Sequence, residues 1–167
     1  MKEIKVEELK ENPFSLIGKD WFLITAKKDE KINTMTASWG GLGVIWGKNV
    51  ATIYIRHSRY TKEFVDNSDR FSLCVMPEKF RKELNYCGSM SGRNQDKIKE
   101  CGFSVDYENE VPYFLESRLT LICKKLYVKE IGPEGFVPSQ KELVDRFYSD
   151  KDWHVMYIAE IEKVLVE

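Results

Sequence analysis

The chain has 167 residues, of which 43% are hydrophobic and 32% charged, an ordinary globular mixture long enough to bury about 70% of its unfolded surface. A formal net charge of −1 argues against a duplex-binding surface, which needs a clear basic excess, but leaves room for a local basic pocket that holds one phosphate. The aromatic share of 13% is high enough to fill a core and also to line a slot for a flat ring.

Residues 1–20 are polar and punctuated by Pro13 and Gly18. They read as an N-terminal arm on the edge of a single domain covering residues 1–167. Met1 to Glu7 contains no apolar run of signal-peptide length, and no stretch is apolar enough to span a bilayer. Cys74, Cys87, Cys101 and Cys123 form no C-x-x-C pair, which excludes a zinc ribbon and a thioredoxin-like motif. The expectation is a cytoplasmic, reduced protein with no membrane or nucleic-acid partner, its cysteines mostly buried as small hydrophobes.

Trp21 to Ala26 reads as a strand, rich in aromatic and β-branched residues. A charged turn, Asp29 to Lys31, leads to a second strand, Asn33 to Trp39, that ends in the flexible run Gly40-Gly41-Leu42-Gly43. Val50 to Ile55 is a third strand, with Val50, Thr52 and Tyr54 on one face and Ala51, Ile53 and Ile55 on the other. Ser58 to Asn67 reads as a helix with Ser58 as N-cap and with Tyr60 and Phe64 sharing its buried side. Arg70 to Met76 is a strand stopped by Pro77. Glu78 to Tyr86 and Arg93 to Cys101 read as helices, the second capped by Ser91 and stopped by Gly102. Tyr113 to Val128 is one long strand or a pair, Ser139 to Tyr148 a short helix, and Val155 to Val166 the closing strand. Strands dominate without regular β-α-β alternation. The fold class expected is therefore mainly β, an antiparallel barrel with flanking helices.

Four segments carry candidate chemistry. In Asn33-Thr34-Met35-Thr36-Ala37-Ser38-Trp39, most side chains are small or hydroxylated, so a ligand can approach backbone N–H donors; the alternative is a strand entering a glycine-rich hairpin. Arg56-His57-Ser58-Arg59-Tyr60-Thr61-Lys62 falls between a strand end and a helix start. Unpaired N–H groups, the helix dipole and two arginines suit an anion there; the alternative is a capped helix with a solvated basic first turn. Gly88-Ser89-Met90-Ser91-Gly92-Arg93 is a donor-rich loop that either covers a ligand or is an exposed turn. His154, in Asp152-Trp153-His154, is either a site residue or a structural histidine. No His and carboxylate cluster has metal-ligand spacing, and Met90 stands where a Gly-x-Ser-x-Gly elbow needs its nucleophile.

Taken together, these segments resemble the flavin reductase-like family, flavoredoxin-type members included. Asn33 to Trp39 is similar to its N-x-x-T-A-S flavin-ring segment, and Arg59-Tyr60-Thr61 to its phosphate-side helix start. Phe71-Ser72-Leu73-Cys74-Val75 resembles the strand that follows. Asp96-Lys97-Ile98 with Gly102-Phe103 resembles its D-K-x…G-[LF] pattern, and His154 to Ile161 its closing H-x-x-[FY]-[IV]-G-E-V. The order is consistent from Trp21 to Val164. Two departures stand out: Ala159 replaces a usual glycine, and Trp39-Gly40-Gly41 replaces polar or bulky residues after the serine.

The resemblance implies an FMN-binding split β-barrel that works as a homodimer, with flavin mononucleotide near the subunit interface. Thr36, Ala37, Ser38 and Trp39 would face the isoalloxazine, with Asn33 and Met35 close by. Arg56, Arg59, Tyr60 and Thr61 would surround the ribityl chain and phosphate. Ser89, Ser91, Gly92, Arg93 and Lys97 would add contacts, and His154 would sit near the ring edge or a nicotinamide. The activity implied is hydride transfer from NADH or NADPH to flavin N5, then electron delivery to an acceptor. The alternative is a non-enzymatic FMN-bound electron carrier reduced by a redox partner protein, and a third reading is a barrel for haem or another ligand.

Overall fold

Ten strands frame the computed structural model, which describes residues 1–167. In chain order they begin with β1 (Lys2–Ile4) and a single helical turn, α1 (Pro13–Ser15), that runs into a π-turn at Leu16–Asp20. Next come β2 (Phe22–Lys28), β3 (Lys31–Ala37), β4 (Gly40–Ile45), β5 (Lys48–Arg56), α2 (Tyr60–Asn67), β6 (Arg70–Val75) and α3 (Arg81–Ser89). The chain finishes with α4 (Lys97–Glu100), β7 (Val105–Glu108), β8 (Val111–Phe114), β9 (Leu119–Glu130), α5 (Glu142–Phe147) and β10 (His154–Val166).

Seven strands pair in the order β3-β2-β6-β9-β10-β5-β4, every pair antiparallel, and β1 adds to the far end of β10. Alternation sets the two faces of this sheet. Phe22, Ile24 and Ala26 of β2, Ala51, Ile53 and Ile55 of β5, and Phe71, Leu73 and Val75 of β6 all enter one large apolar cluster. The same cluster takes Met35 and Ala37 from β3 and residues of β9 and β10. A flat sheet could not bring both its ends into one cluster, so the sheet is curled around it. Bulges assist the curl: the β9–β10 register slips between Ile158 and Ala159 and again between Ile161 and Lys163, and the second slip moves the inward parity from Ile161 to Val164.

The curl leaves a seam. The end strands β3 and β4 are consecutive in the chain, joined only by Ser38 and Trp39, yet they do not pair with each other. The architecture is therefore an antiparallel split barrel, as the sequence implies. Outside the barrel, a second apolar cluster seats α3 and the β7–β8 hairpin against Leu23, Cys74 and Ile122.

Several elements differ from the sequence reading. The N-terminal segment does more than pack on an edge, because β1 joins the sheet and Leu16 and Ile17 enter the core. Gly40 to Gly43 is strand rather than flexible loop. At Gly40 a Cβ would stand 2.7 Å from the Thr52 carbonyl oxygen, so glycine is what lets β4 lie against β5. Positive φ at Trp46 (54°) and Gly47 (68°) closes that hairpin in the sense that suits strand twist. The N-cap of α2 is Arg59, without a side-chain cap, because Ser58 gives its N–H and hydroxyl to Asp152 instead. Residues Glu78–Phe80 form a 3-10 turn before α3. The third helix shortens to α4, capped by Asp96 and not Ser91, while Gly102 ends it at φ 67° as expected. The long stretch from Tyr113 is a pair, β8 and β9. All four cysteines are free thiols, and only Cys101 is partly exposed. No helix is long and apolar enough to cross a membrane.

Candidate functional site

The seam between β3 and the β5–β10 pair opens into a cleft of about 210 Å³ lined by Met35, Thr36, Ala37, Ser38, Trp39, Tyr54, Arg56, Arg59 and His154. The antiparallel register that places His154 opposite Arg56 brings the start of β10 to the end of β5. A second cavity of about 140 Å³ is lined by Ser58, Arg59, Tyr60, Thr61, Ser89, Met90, Ser91, Gly92 and Lys97. Arg59 lines both, so the two cavities are neighbours. The strand end after Ala37 and the turn before α2, 20 residues apart in sequence, thus converge.

The second cavity holds two cations, one buried and one half-buried. Lys97 is 3% exposed, and its Nζ donates to the carbonyl of Cys87 at 3.0 Å. Arg59 donates from Nη1 to the next carbonyl, Gly88, at 2.7 Å. Both carbonyls belong to the last turn of α3, where backbone acceptors lack helical partners and the helix dipole favours positive charge. Neither cation has a carboxylate within ion-pair distance; the pairs formed by Arg56, Lys62, Arg93 and others exclude them. Burial therefore pushes Lys97 down to about 8, with repulsion from Arg59 adding to the drop. Burial also lowers Arg59, against the pull of Asp152. Two desolvated positive charges without a counter-ion make a site that an anion would complete. The uncapped start of α2 faces the same cavity through Arg59, Tyr60 and Thr61.

The first cleft is walled by fixed side chains. Arg56 donates to the carbonyls of Asp152 (2.8 Å) and Phe147 (2.7 Å), so it clamps the segment after α5 onto β5. His154, 8% exposed, shares a 2.9 Å hydrogen bond with the Tyr148 hydroxyl through Nδ1. Burial and then the Arg56 charge push it down to about 4, which makes it neutral at pH 7. Trp39 stands across the opening, 5.1 Å from the His154 ring and edge-on to Phe147 at 5.4 Å. The Thr36 hydroxyl donates to the Leu84 carbonyl at 2.5 Å, which ties β3 to α3.

Two residues singled out in the sequence line neither cavity. Asn33 lies behind them: its Nδ2 donates to Thr61 Oγ1 at 3.0 Å, and its side chain packs so close to Gly92 that a Cβ there would clash with Oδ1. Arg93 sits on the outside, donating to the Ser58 carbonyl and pairing with Glu63 at 2.7 Å while lying over the Tyr60 ring. It straps the loop that carries Ser89, Ser91 and Gly92 onto α2. The sequence reading missed Tyr54, which alternation places on the same face as Arg56, and Tyr148, which no local pattern connects with His154.

Beyond Trp39 a larger groove of about 960 Å³ opens, sharing Ser38, Trp39 and Tyr54 with the cleft. Phe14, Ile17, Leu42, Ile131, Phe136 and Leu143 give it an apolar lining; its charged residues are Lys129, Glu130 and Glu134.

Comparison with known proteins identifies the family. The sequence pattern of the flavin reductase like domain matches residues 14–167. The chain belongs to the flavin reductase-like family. Among solved structures, the flavin reductase-like fold here is similar to a flavoredoxin from Methanosarcina acetivorans (21% identity, TM-score 0.68, covering 100% of this chain and 76% of that one). It is also similar to a flavoredoxin of Desulfovibrio vulgaris (Miyazaki F) (20%, TM-score 0.69, 100% and 77%). An FMN-binding protein from Thermus thermophilus, solved with bound p-hydroxybenzaldehyde, matches at 17% identity and TM-score 0.71 over 100% of this chain and 82% of that one. No curated protein sequence matches the chain.

Proposed function

We propose that this flavin reductase-like protein binds flavin mononucleotide across the two joined cavities and works as an oxidoreductase. The observation that carries the reading is the pair of carboxylate-free cations, buried Lys97 and half-buried Arg59, at one end of a cleft whose other end is walled by Trp39, Tyr54 and His154. A phosphate monoester fits the first, and a flat conjugated ring fits the second.

Bound flavin supplies a ring that takes up and releases hydride or single electrons. The chain's own residues bind and orient it. Arg59, Lys97, Tyr60, Thr61, Ser89, Ser91 and Gly92 hold the phosphate end. Met35 to Trp39 line the ring end, where backbone N–H groups would serve as donors. Arg56 acts by holding Phe147 and Tyr148 in place, and Asn33 and Arg93 brace the cavity wall. His154 presents a neutral imidazole whose Nδ1 is occupied by Tyr148, leaving Nε2 for a ligand. NADH or NADPH is the proposed reductant, approaching through the groove beyond Trp39.

That groove also favours a second reading. It offers one lysine against two glutamates, a poor seat for the pyrophosphate of a nicotinamide dinucleotide. An electron carrier reduced by a partner protein needs no such seat. Exposed apolar side chains at the β4–β5 tip (Val44, Ile45 and Trp46) lie on an unpaired sheet edge, the kind of surface a second copy covers in a homodimer.

Purified protein titrated with flavin mononucleotide should quench flavin fluorescence at saturable stoichiometry. Rapid bleaching of the bound yellow band by NADH or NADPH supports the reductase; bleaching only by a reduced redox protein supports the carrier. A chain that leaves flavin fluorescence unchanged refutes both.

A further inference from the structure

The two carbonyls that anchor the cation pair adjoin a contact between two thiols. Cys87 Sγ lies 3.6 Å from Cys101 Sγ, van der Waals contact for sulfur. Cys87 is buried in the last turn of α3, and Cys101 closes α4. Cys101 lines a surface pocket with Lys82, Glu83, Tyr86 and Glu100, so one member of the pair is open to a small reagent and the other is reached only through it. The segment between the two cysteines carries Ser89, Met90, Ser91, Gly92 and Lys97, which form one wall of the anion cavity.

We propose that Cys87 and Cys101 form a reversible disulfide whose closure shifts the cation pair and weakens anion binding. A small-molecule disulfide such as oxidised glutathione is the oxidant. The Cys101 thiolate attacks one of its sulfurs, forming a mixed disulfide and releasing one thiolate. Cys87 then attacks the Cys101 sulfur, forming the intrachain bond and releasing the second. The protein loses two electrons and two protons, and the reagent leaves as two thiols.

The coupling is geometric. A disulfide holds its sulfurs about 2.05 Å apart, so closure from 3.6 Å draws Cys87 toward the end of α4. The Cys87 carbonyl holds Lys97 and the neighbouring Gly88 carbonyl holds Arg59, so displacement of that turn moves both cations. Cys74 and Cys123 are fully buried in the two apolar clusters and take no part. The effect on ligand binding rests on the flavin reading above; formation of the bond does not.

The test uses the full chain, reduced and then treated with oxidised glutathione. Peptide mapping should find Cys87 joined to Cys101 and the intact mass lighter by two hydrogen atoms. The oxidised form should bind flavin mononucleotide about tenfold more weakly, the scale of one lost hydrogen bond, and dithiothreitol should restore it. Inorganic phosphate should raise the melting temperature of the reduced form more than that of the oxidised form. Cys101→Ser should keep the reduced-form affinity in the presence of oxidant. Failure of the bond to form under native conditions overturns the proposal, as does a bond that leaves both the flavin affinity and the phosphate response unchanged. Reduced protein that responds to phosphate but not to flavin overturns the flavin reading alone, and its phosphate response then decides the coupling.

Discussion

Replacing Lys97 by methionine should make the protein more stable and a worse ligand binder at once. The ammonium is 3% exposed, with one carbonyl as its partner at 3.0 Å. Its drop from 10.5 to about 8 corresponds to roughly 3 kcal/mol of native-state destabilisation at pH 7, at about 1.4 kcal/mol per pKa unit. Methionine fills a similar volume without charge. The lost hydrogen bond to Cys87 returns about 1 kcal/mol of that gain, leaving a net stabilisation of about 2 kcal/mol. For a chain of this size that raises the melting temperature by about 4–8 °C. The sign with pH follows from the depressed value. Between about 8 and 10.5 the unfolded chain carries a proton that the native chain has released, so the parent protein gains stability as pH rises through this window. Lys97→Met should lack that gain. In the same variant, loss of a charged hydrogen bond to phosphate, about 1.5–3 kcal/mol, should weaken flavin mononucleotide by about 10- to 150-fold. Thermal melts from pH 7 to 10 and a fluorescence titration read both effects. A variant that melts lower and binds flavin as tightly as the parent would refute the idea of an anion site built from uncompensated charge.

Two further outcomes follow from the geometry. His154 is held near 4, below its unfolded value, so the unfolded chain binds an extra proton between about 4 and 6.5. Stability should therefore fall as pH drops through that window, before most carboxylates titrate, and His154→Gln should flatten the dependence in melts from pH 7 to 5. Gly40→Ala forces a Cβ to 2.7 Å from the Thr52 carbonyl and should destabilise by about 1–3 kcal/mol; amide exchange should show the loss concentrated in β4 and β5, with α3 unaffected.

Much of this fold was legible because alternation is a local signal. Ala51, Ile53 and Ile55 face the core as the strand period requires, and Phe64 meets Tyr60 edge-on four residues away. The strand β4 was not legible, since its glycines read as flexibility until the partner carbonyl of Thr52 is in place. Nor was the shortness of α4, where Asp96 outcompetes Ser91 as a cap through its bond to the Lys99 N–H at 3.2 Å. In the site, the two stretches that converge were visible as small and basic clusters. The division of labour among them was not. Arg56, Arg59 and Arg93 look alike in sequence, yet one clamps a loop, one meets a backbone carbonyl without a carboxylate and one is spent on Glu63. Only the tertiary placement of carboxylates separates them.

The two-residue junction at Ser38 and Trp39 works as a staple across a barrel that never zips shut. No ladder of hydrogen bonds crosses that gap, so strand pairing does not fix its width. Lengthening the junction by a residue or two should enlarge the mouth and change which reactants enter, while the interior packing on the opposite wall stays as it is.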